Sequence, residues 1–119
     1  MDQKRMLLIE NHSILRQALH QLLSSAGYEV VDEATDMVDG ICLAVSQQPA
    51  FIILDSSIAE LNAMAFSGMI HRLVPNSKVI LLVDDAREYD GLEEAQRTNY
   101  VNKRTVTQDL PALLHHWSN

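Results

Sequence analysis

Cysteine is nearly missing from this 119-residue chain: Cys42 stands alone, so no internal disulfide can form and a reducing, cytoplasmic setting is expected. Glycine is also scarce. Gly27, Gly40, Gly68 and Gly91 are scattered, which leaves no glycine-rich phosphate cradle and disfavours a dinucleotide-binding domain. Basic residues number 9 against 16 acidic ones, a net charge of −7. With no broad surface to neutralise phosphates, the chain is not expected to hold nucleic acid by itself. Long apolar runs are missing too. Stretches such as Val79 to Val83 fall far short of the ~20 residues that span a bilayer. Met6 to Ile9, following Lys4 and Arg5, is too short for a signal peptide. Neither a membrane protein nor an exported one is expected.

What is present suits one soluble globular domain: 13.4 kDa, 47% hydrophobic and 21% charged residues, without repeats or low-complexity tracts. Short apolar runs alternate with helical patterns. Met6 to Ile9, Phe51 to Leu54 and Val79 to Val83 read as buried strands, and Tyr28 to Glu33 and Tyr100 to Asn102 as more polar or shorter ones. Between them, Leu15, Ala18, Leu19, Leu22 and Ala26 recur at helical spacing up to Gly27. A second helix, marked by Val38, Ile41 and Val45, starts near Thr35 or Asp36 and closes before Pro49. Phe66, Met69, Ile70 and Leu73 form the stripe of a third helix, stopped at Pro75-Asn76. A weaker pattern runs from Arg87 to about Thr98. Leu110, Leu113, Leu114 and Trp117 mark a final helix, with Pro111 expected in its first turn and Asp109 as a candidate cap. Five βα units demand a parallel sheet covered on both faces. Polar second and fifth strands belong at the edges, which gives a flavodoxin-like α/β fold, doubly wound, of strand order 2-1-3-4-5.

In such sheets the working site lies beyond the carboxyl ends of the strands. Those positions hold Glu10 and Asn11, Asp55, Asp84 and Asp85, and Lys103. Glu10, Asn11, Asp55 and Asp84 should converge, and crowded carboxylates raise one another's pKa unless a cation sits among them. An oxygen-rich rim with one lysine suits Mg²⁺; solubilising acids at exposed strand ends are the bland alternative.

The segments Met6 to Leu19, Phe51 to Asp55, Val79 to Val83 and Tyr100 to Lys103 resemble a response-regulator receiver domain, from Met6 to Trp117. The first segment, with His12 and Leu15-Arg16, is most similar to receivers of LuxR-type transcriptional regulators. The resemblance implies that Asp55 is the phosphoacceptor, forming an aspartyl phosphate. It implies a Mg²⁺ site at Glu10, Asn11, Asp55 and the backbone carbonyl of Ser57, with Lys103 pairing first with Asp55 and then with the phosphoryl group. It makes Val83 and Tyr100 switch positions, although Tyr100 also reads as an edge-strand packing residue. Residues 1–119 are then the receiver, and DNA binding belongs to an output domain outside this chain. A histidine kinase or a small phosphodonor, and a second copy of the domain, are the implied partners. The domain itself is not expected to be an enzyme beyond taking up the phosphoryl group.

Four departures from the family pattern stand out. Asn11 replaces an acid, which should weaken Mg²⁺ binding. Val83 replaces a hydroxyl residue, removing a hydrogen bond worth ~1.5–3 kcal/mol to a charged group. Asp84 replaces a small residue and adds charge near the phosphoryl position, as a substitute ligand or a fixed negative charge. The loop from Ser56 to Ala63 lacks the family's Met-Pro and Asp-Gly. These favour an atypical receiver and support an alternative, a degenerate receiver that only dimerises or docks a partner. A flavodoxin-like enzyme or cofactor carrier lacks a phosphate-binding loop. The five histidines lack ligand spacing. Cys42 reads as a small buried residue, and Met64 and Met69 as loop and core.

Overall fold

The strand pattern folds as its hydrophobicity dictates. A computed structural model describes residues 4–58, 63–85 and 98–118. In chain order these form β1 (Arg5–Ile9), α1 (Ser13–Ser25), β2 (Glu29–Ala34), α2 (Met37–Gln47), β3 (Phe51–Asp55), α3 (Ala63–Leu73), β4 (Lys78–Val83), β5 (Thr98–Asn102), a 3₁₀ turn (Lys103–Thr105) and α4 (Val106–Ser118). The helical pattern that starts at Arg87 falls almost wholly outside the described residues, and Thr98, where it was expected to end, opens β5. All five strands pair in parallel in the order β2-β1-β3-β4-β5. Among the described residues no helix is long and apolar enough to cross a membrane.

Strands β1, β3 and β4 alternate their side chains between two cores. On one face Met6, Leu8, Phe51, Ile53, Ile80 and Leu82 pack with Leu19 and Leu23 of α1 and Leu110 and Leu114 of α4. On the other, Leu7, Ile9, Ile52, Leu54, Val79 and Leu81 pack with Ala44 of α2 and Phe66 and Ile70 of α3. Burial on both faces is why these strands carry unbroken apolar runs.

Local signals set the helix ends. Gly27 takes φ +90° after α1, its N–H bonds Ser24 O, and Tyr28 N bonds Leu23 O, closing the helix with paired carbonyl contacts. Asp36 caps α2 by accepting from Asp39 N at 2.8 Å.

Several side-chain expectations need correction. In α2 the residues seated on the sheet are Gly40 and Ala44, while Val38 and Val45 are exposed. At Gly40 the helix approaches β1 so closely that an added Cβ would lie 2.7 Å from Ile9 Cδ1, while Met37 and Ile41 pack at the margin of the same core. Cys42 is exposed, on the outer side of α2. In α3, Phe66, Ser67 and Ile70 are buried, followed by Val74, so Met69 and Leu73 flank the core instead of filling it. Met64 belongs to α3, not to a loop. Pro111 lies inside α4, which begins at Val106. Its ring has no N–H to give the carbonyl of Thr107 four residues before it. Asp109 is not the cap; its carboxylate accepts from the Thr105 hydroxyl.

Candidate functional site

Three strands deliver the site to one rim. Asp55 is the last residue of β3, opposite Leu82 of β4, and the following turn is fixed by Ser56 N to Leu82 O at 2.9 Å and Ile58 N to Asp55 O at 3.1 Å. That turn aims Ser57 back at Asp55. Three donors meet on the single oxygen Oδ1: Ser57 N at 2.9 Å, the Ser57 hydroxyl at 2.8 Å and Lys103 Nζ at 2.7 Å. Lys103 reaches it from the turn that follows β5.

Glu10 follows β1 and is held in place by its backbone, with N bonding Ala34 O at 2.9 Å and O accepting from Arg16 Nη1 at 3.1 Å. Its Oε2 accepts from His12 N at 3.1 Å, whereas the buried Oε1 has no hydrogen-bond partner among the described residues. Glu10 has no exposure and Asp55 is 2% exposed. Two carboxyl groups are therefore packed side by side out of water. Burial, and then contact with Asp55, push the Glu10 carboxyl up to about 7. Burial also raises Asp55, but the adjoining Glu10 carboxyl, the Lys103 ammonium and the Ser57 donors outweigh it and hold Asp55 below the ordinary carboxylate range. For Lys103, burial is outweighed by Asp55, and the ammonium is held above its usual range.

The other expected residues sit further out. Asp84 is 93% exposed in its side chain and meets the site through Lys103, at 3.7 Å. Asn11 is exposed beside Glu10. Val83 is buried in the second core, and Tyr100 is half-buried against the same cluster. Missing from the sequence reading were the Ser57 donors and a tether behind Glu10. In that tether, Arg16 Nε lies 3.5 Å from Glu33, which also meets His20 at 3.1 Å. The available signal was an arginine in the first turn of the helix that follows the Glu10 strand.

A divalent metal fits this chemistry. Among the described residues no group of three or more His, Cys, Asp or Glu side chains is arranged to hold a metal. Mg²⁺, however, needs only one or two carboxylates, with carbonyls and water completing its shell. An orphaned Glu10 oxygen beside Asp55 is the donor such an ion uses.

The sequence matches the family model of the response regulator receiver domain over residues 6–115. The chain belongs to that family. This receiver domain is 31% identical over 110 residues to the transcriptional regulatory protein LiaR of Bacillus subtilis, covering 89% of the chain and 52% of LiaR. It is 30% identical over 112 residues to the nitrate/nitrite response regulator NarL of Escherichia coli, covering 92% and 52%. The receiver domain thus spans about half the length of these relatives. Its fold matches that of a LuxR-family DNA-binding response regulator from Staphylococcus aureus, with TM-score 0.83 at 23% identity over 98% of this chain and 99% of that one. A receiver domain from Clostridium thermocellum gives 0.81 at 22% identity, over 94% and 91%.

Proposed function

We propose that this receiver domain takes a phosphoryl group onto Asp55 and thereby controls a LuxR-type transcriptional output domain. The observation that carries the reading is the buried Asp55 carboxylate, whose Oδ1 holds Lys103 and both Ser57 donors. The second oxygen, Oδ2, receives none of these three and is the nucleophile. It attacks phosphorus, the bond from phosphorus to the donor breaks, and the leaving group departs with the electron pair. Once the carboxylate has become an acyl phosphate, Lys103 pairs with a phosphoryl oxygen instead. Glu10 and Asp55 would hold Mg²⁺, with the Asn11 side-chain oxygen and the Ser57 carbonyl as further donors. When bound, the ion screens the repulsion between the two anions.

The donor is a histidine kinase or a small phosphorylated molecule, and the domain does no catalysis beyond its own modification. Output follows through dimerisation or an interdomain contact. DNA binding belongs to the output domain, in keeping with a net charge of −7 here. A second reading, a docking module without phosphoryl chemistry, is favoured by one feature: Val83, buried at the end of β4, offers no hydroxyl to a phosphoryl oxygen.

Intact mass after incubation with Mg²⁺ and acetyl phosphate separates the two. A single phosphoryl adduct is expected on the unmodified domain and none on Asp55→Asn. An adduct on both moves the acceptor elsewhere, and an adduct on neither supports the docking module.

A further inference from the structure

The ammonium that meets Asp55 is shared. Lys103 Nζ lies 2.7 Å from Asp55 Oδ1 and 3.7 Å from Asp84 Oδ1. Asp55 and Lys103 compensate each other, so Asp84 is charge in excess. Its side chain is 93% exposed and its Oδ1 lies 3.7 Å from the ammonium, so an anion drawn to Lys103 meets that charge as well. Neither burial nor packing fixes that carboxylate, and no fold requirement explains an acid there. Its measurable consequence is the field it casts on whatever approaches the lysine.

We propose that Asp84 is a specificity-determining residue, an electrostatic selector that disfavours doubly charged phosphodonors relative to singly charged ones. The selector rests on the phosphoacceptor reading of Asp55. A donor phosphoryl group held by Lys103 lies within about 6 Å of the Asp84 carboxylate. At that range in a largely aqueous dielectric each extra unit of donor charge slows capture about fivefold. The transfer itself is the same for both donor classes. Asp55 Oδ2 forms a bond to phosphorus while the P–O bond of acetyl phosphate breaks to release acetate, or the P–N bond of phosphoramidate breaks to release ammonia. Acetyl phosphate arrives as a dianion and phosphoramidate with a net single negative charge, so the pair reads donor charge directly.

The test uses the full chain with Mg²⁺. Initial rates of adduct formation from each donor are compared for the unmodified domain, Asp84→Asn and Asp84→Lys. The ratio of acetyl phosphate rate to phosphoramidate rate should rise about fivefold in Asp84→Asn and further in Asp84→Lys. The rise should collapse in 1 M NaCl, where the screening length is ~3 Å. A ratio unchanged in both variants, or a rise insensitive to salt, overturns the selector. Inorganic phosphate, titrated against the amide resonances around Lys103, reads the same repulsion without any transfer. Asp84→Asn should bind it at least about fivefold more tightly, and equal affinities overturn the proposal. If neither donor yields an adduct, the phosphoacceptor reading falls, while the phosphate titration still decides the role of Asp84.

Discussion

A carboxyl group with no exposure and one unpartnered oxygen, as in Glu10, keeps its proton far above the ordinary range, and the stability of the fold must follow. Its folded pKa of about 7 stands above the ordinary 4.5. Below pH 4.5 both folded and unfolded chains hold the proton. As pH rises toward 7 the unfolded chain releases it first, so stability falls through that window, by about 3 kcal/mol once complete. Asp55 has the opposite sign: its depressed pKa adds stability that is lost only as pH falls below the ordinary Asp range. Lys103, raised, contributes stability that is lost only at high pH. Between pH 5 and 8 Glu10 therefore dominates the response of this trio. Glu10→Gln should be more stable than the unmodified domain at pH 8, by up to about 3 kcal/mol, with the gap closing toward pH 5. Urea unfolding at the two pH values in a chelator checks this, and a constant gap would refute it. Saturating Mg²⁺ should narrow the difference at pH 8, because the ion binds the deprotonated pair.

Helix α2 touches the site indirectly, through the residue that precedes Glu10. A Cβ added at Gly40 would lie 2.7 Å from Ile9 Cδ1 and 3.2 and 3.3 Å from its Cγ1 and Cγ2. Helix propensity favours Gly40→Ala by ~1 kcal/mol, but overpacking a fully buried neighbour costs ~1–3 kcal/mol. Gly40→Ala should therefore be net destabilising by about 1 kcal/mol. Ile9→Val removes Cδ1, so the double variant should lose less than the sum of the two single losses, as measured by denaturant unfolding. Simple additivity would show that the contact is not the cause. The same helix marks the limit of what periodicity reveals. Strand positions and order were legible because β1, β3 and β4 are apolar on both faces. The period of α2 points correctly to Ile41, which packs against the core, but also to Val38 and Val45, which are exposed, because the buried contact is carried by Gly40 and Ala44, too small to register as an apolar stripe. Pro111 was misplaced because α4 begins earlier than its first large apolar residue, Leu110.

Across the whole molecule, chemistry and anchoring occupy opposite ends of the strands. The strand-end rule brought Glu10, Asp55 and Lys103 to one rim from sequence alone, because parallel strands all finish on the same side. It could not reveal that Ser57 would turn its N–H and hydroxyl onto Asp55, since that depends on a turn whose residues depart from the family pattern. Nor could it show that Asp84 would face solvent. At the other end Phe51, the first residue of β3, stacks on Trp117 with ring centroids 5.6 Å apart and planes 9° from parallel. Lys78, the first residue of β4, lies 5.0 Å over the Trp117 ring. These contacts fasten the last turn of α4 to the sheet. Phe51 and Asp55 are the two ends of a five-residue strand, roughly 13 Å apart at ~3.3 Å per residue. Removing the clamp should therefore loosen the fold without reshaping the rim. Trp117→Ala should lower unfolding stability by about 2 kcal/mol, from lost stacking and burial of a half-buried ring. Its rate of adduct formation on Asp55, measured well below its melting temperature, should stay within about twofold of the unmodified domain, since ~0.4 kcal/mol is the most the rim should feel. A tenfold fall in that rate at full folding would mean that α4 and the site are coupled through the sheet, and the division between anchoring and working ends would not hold.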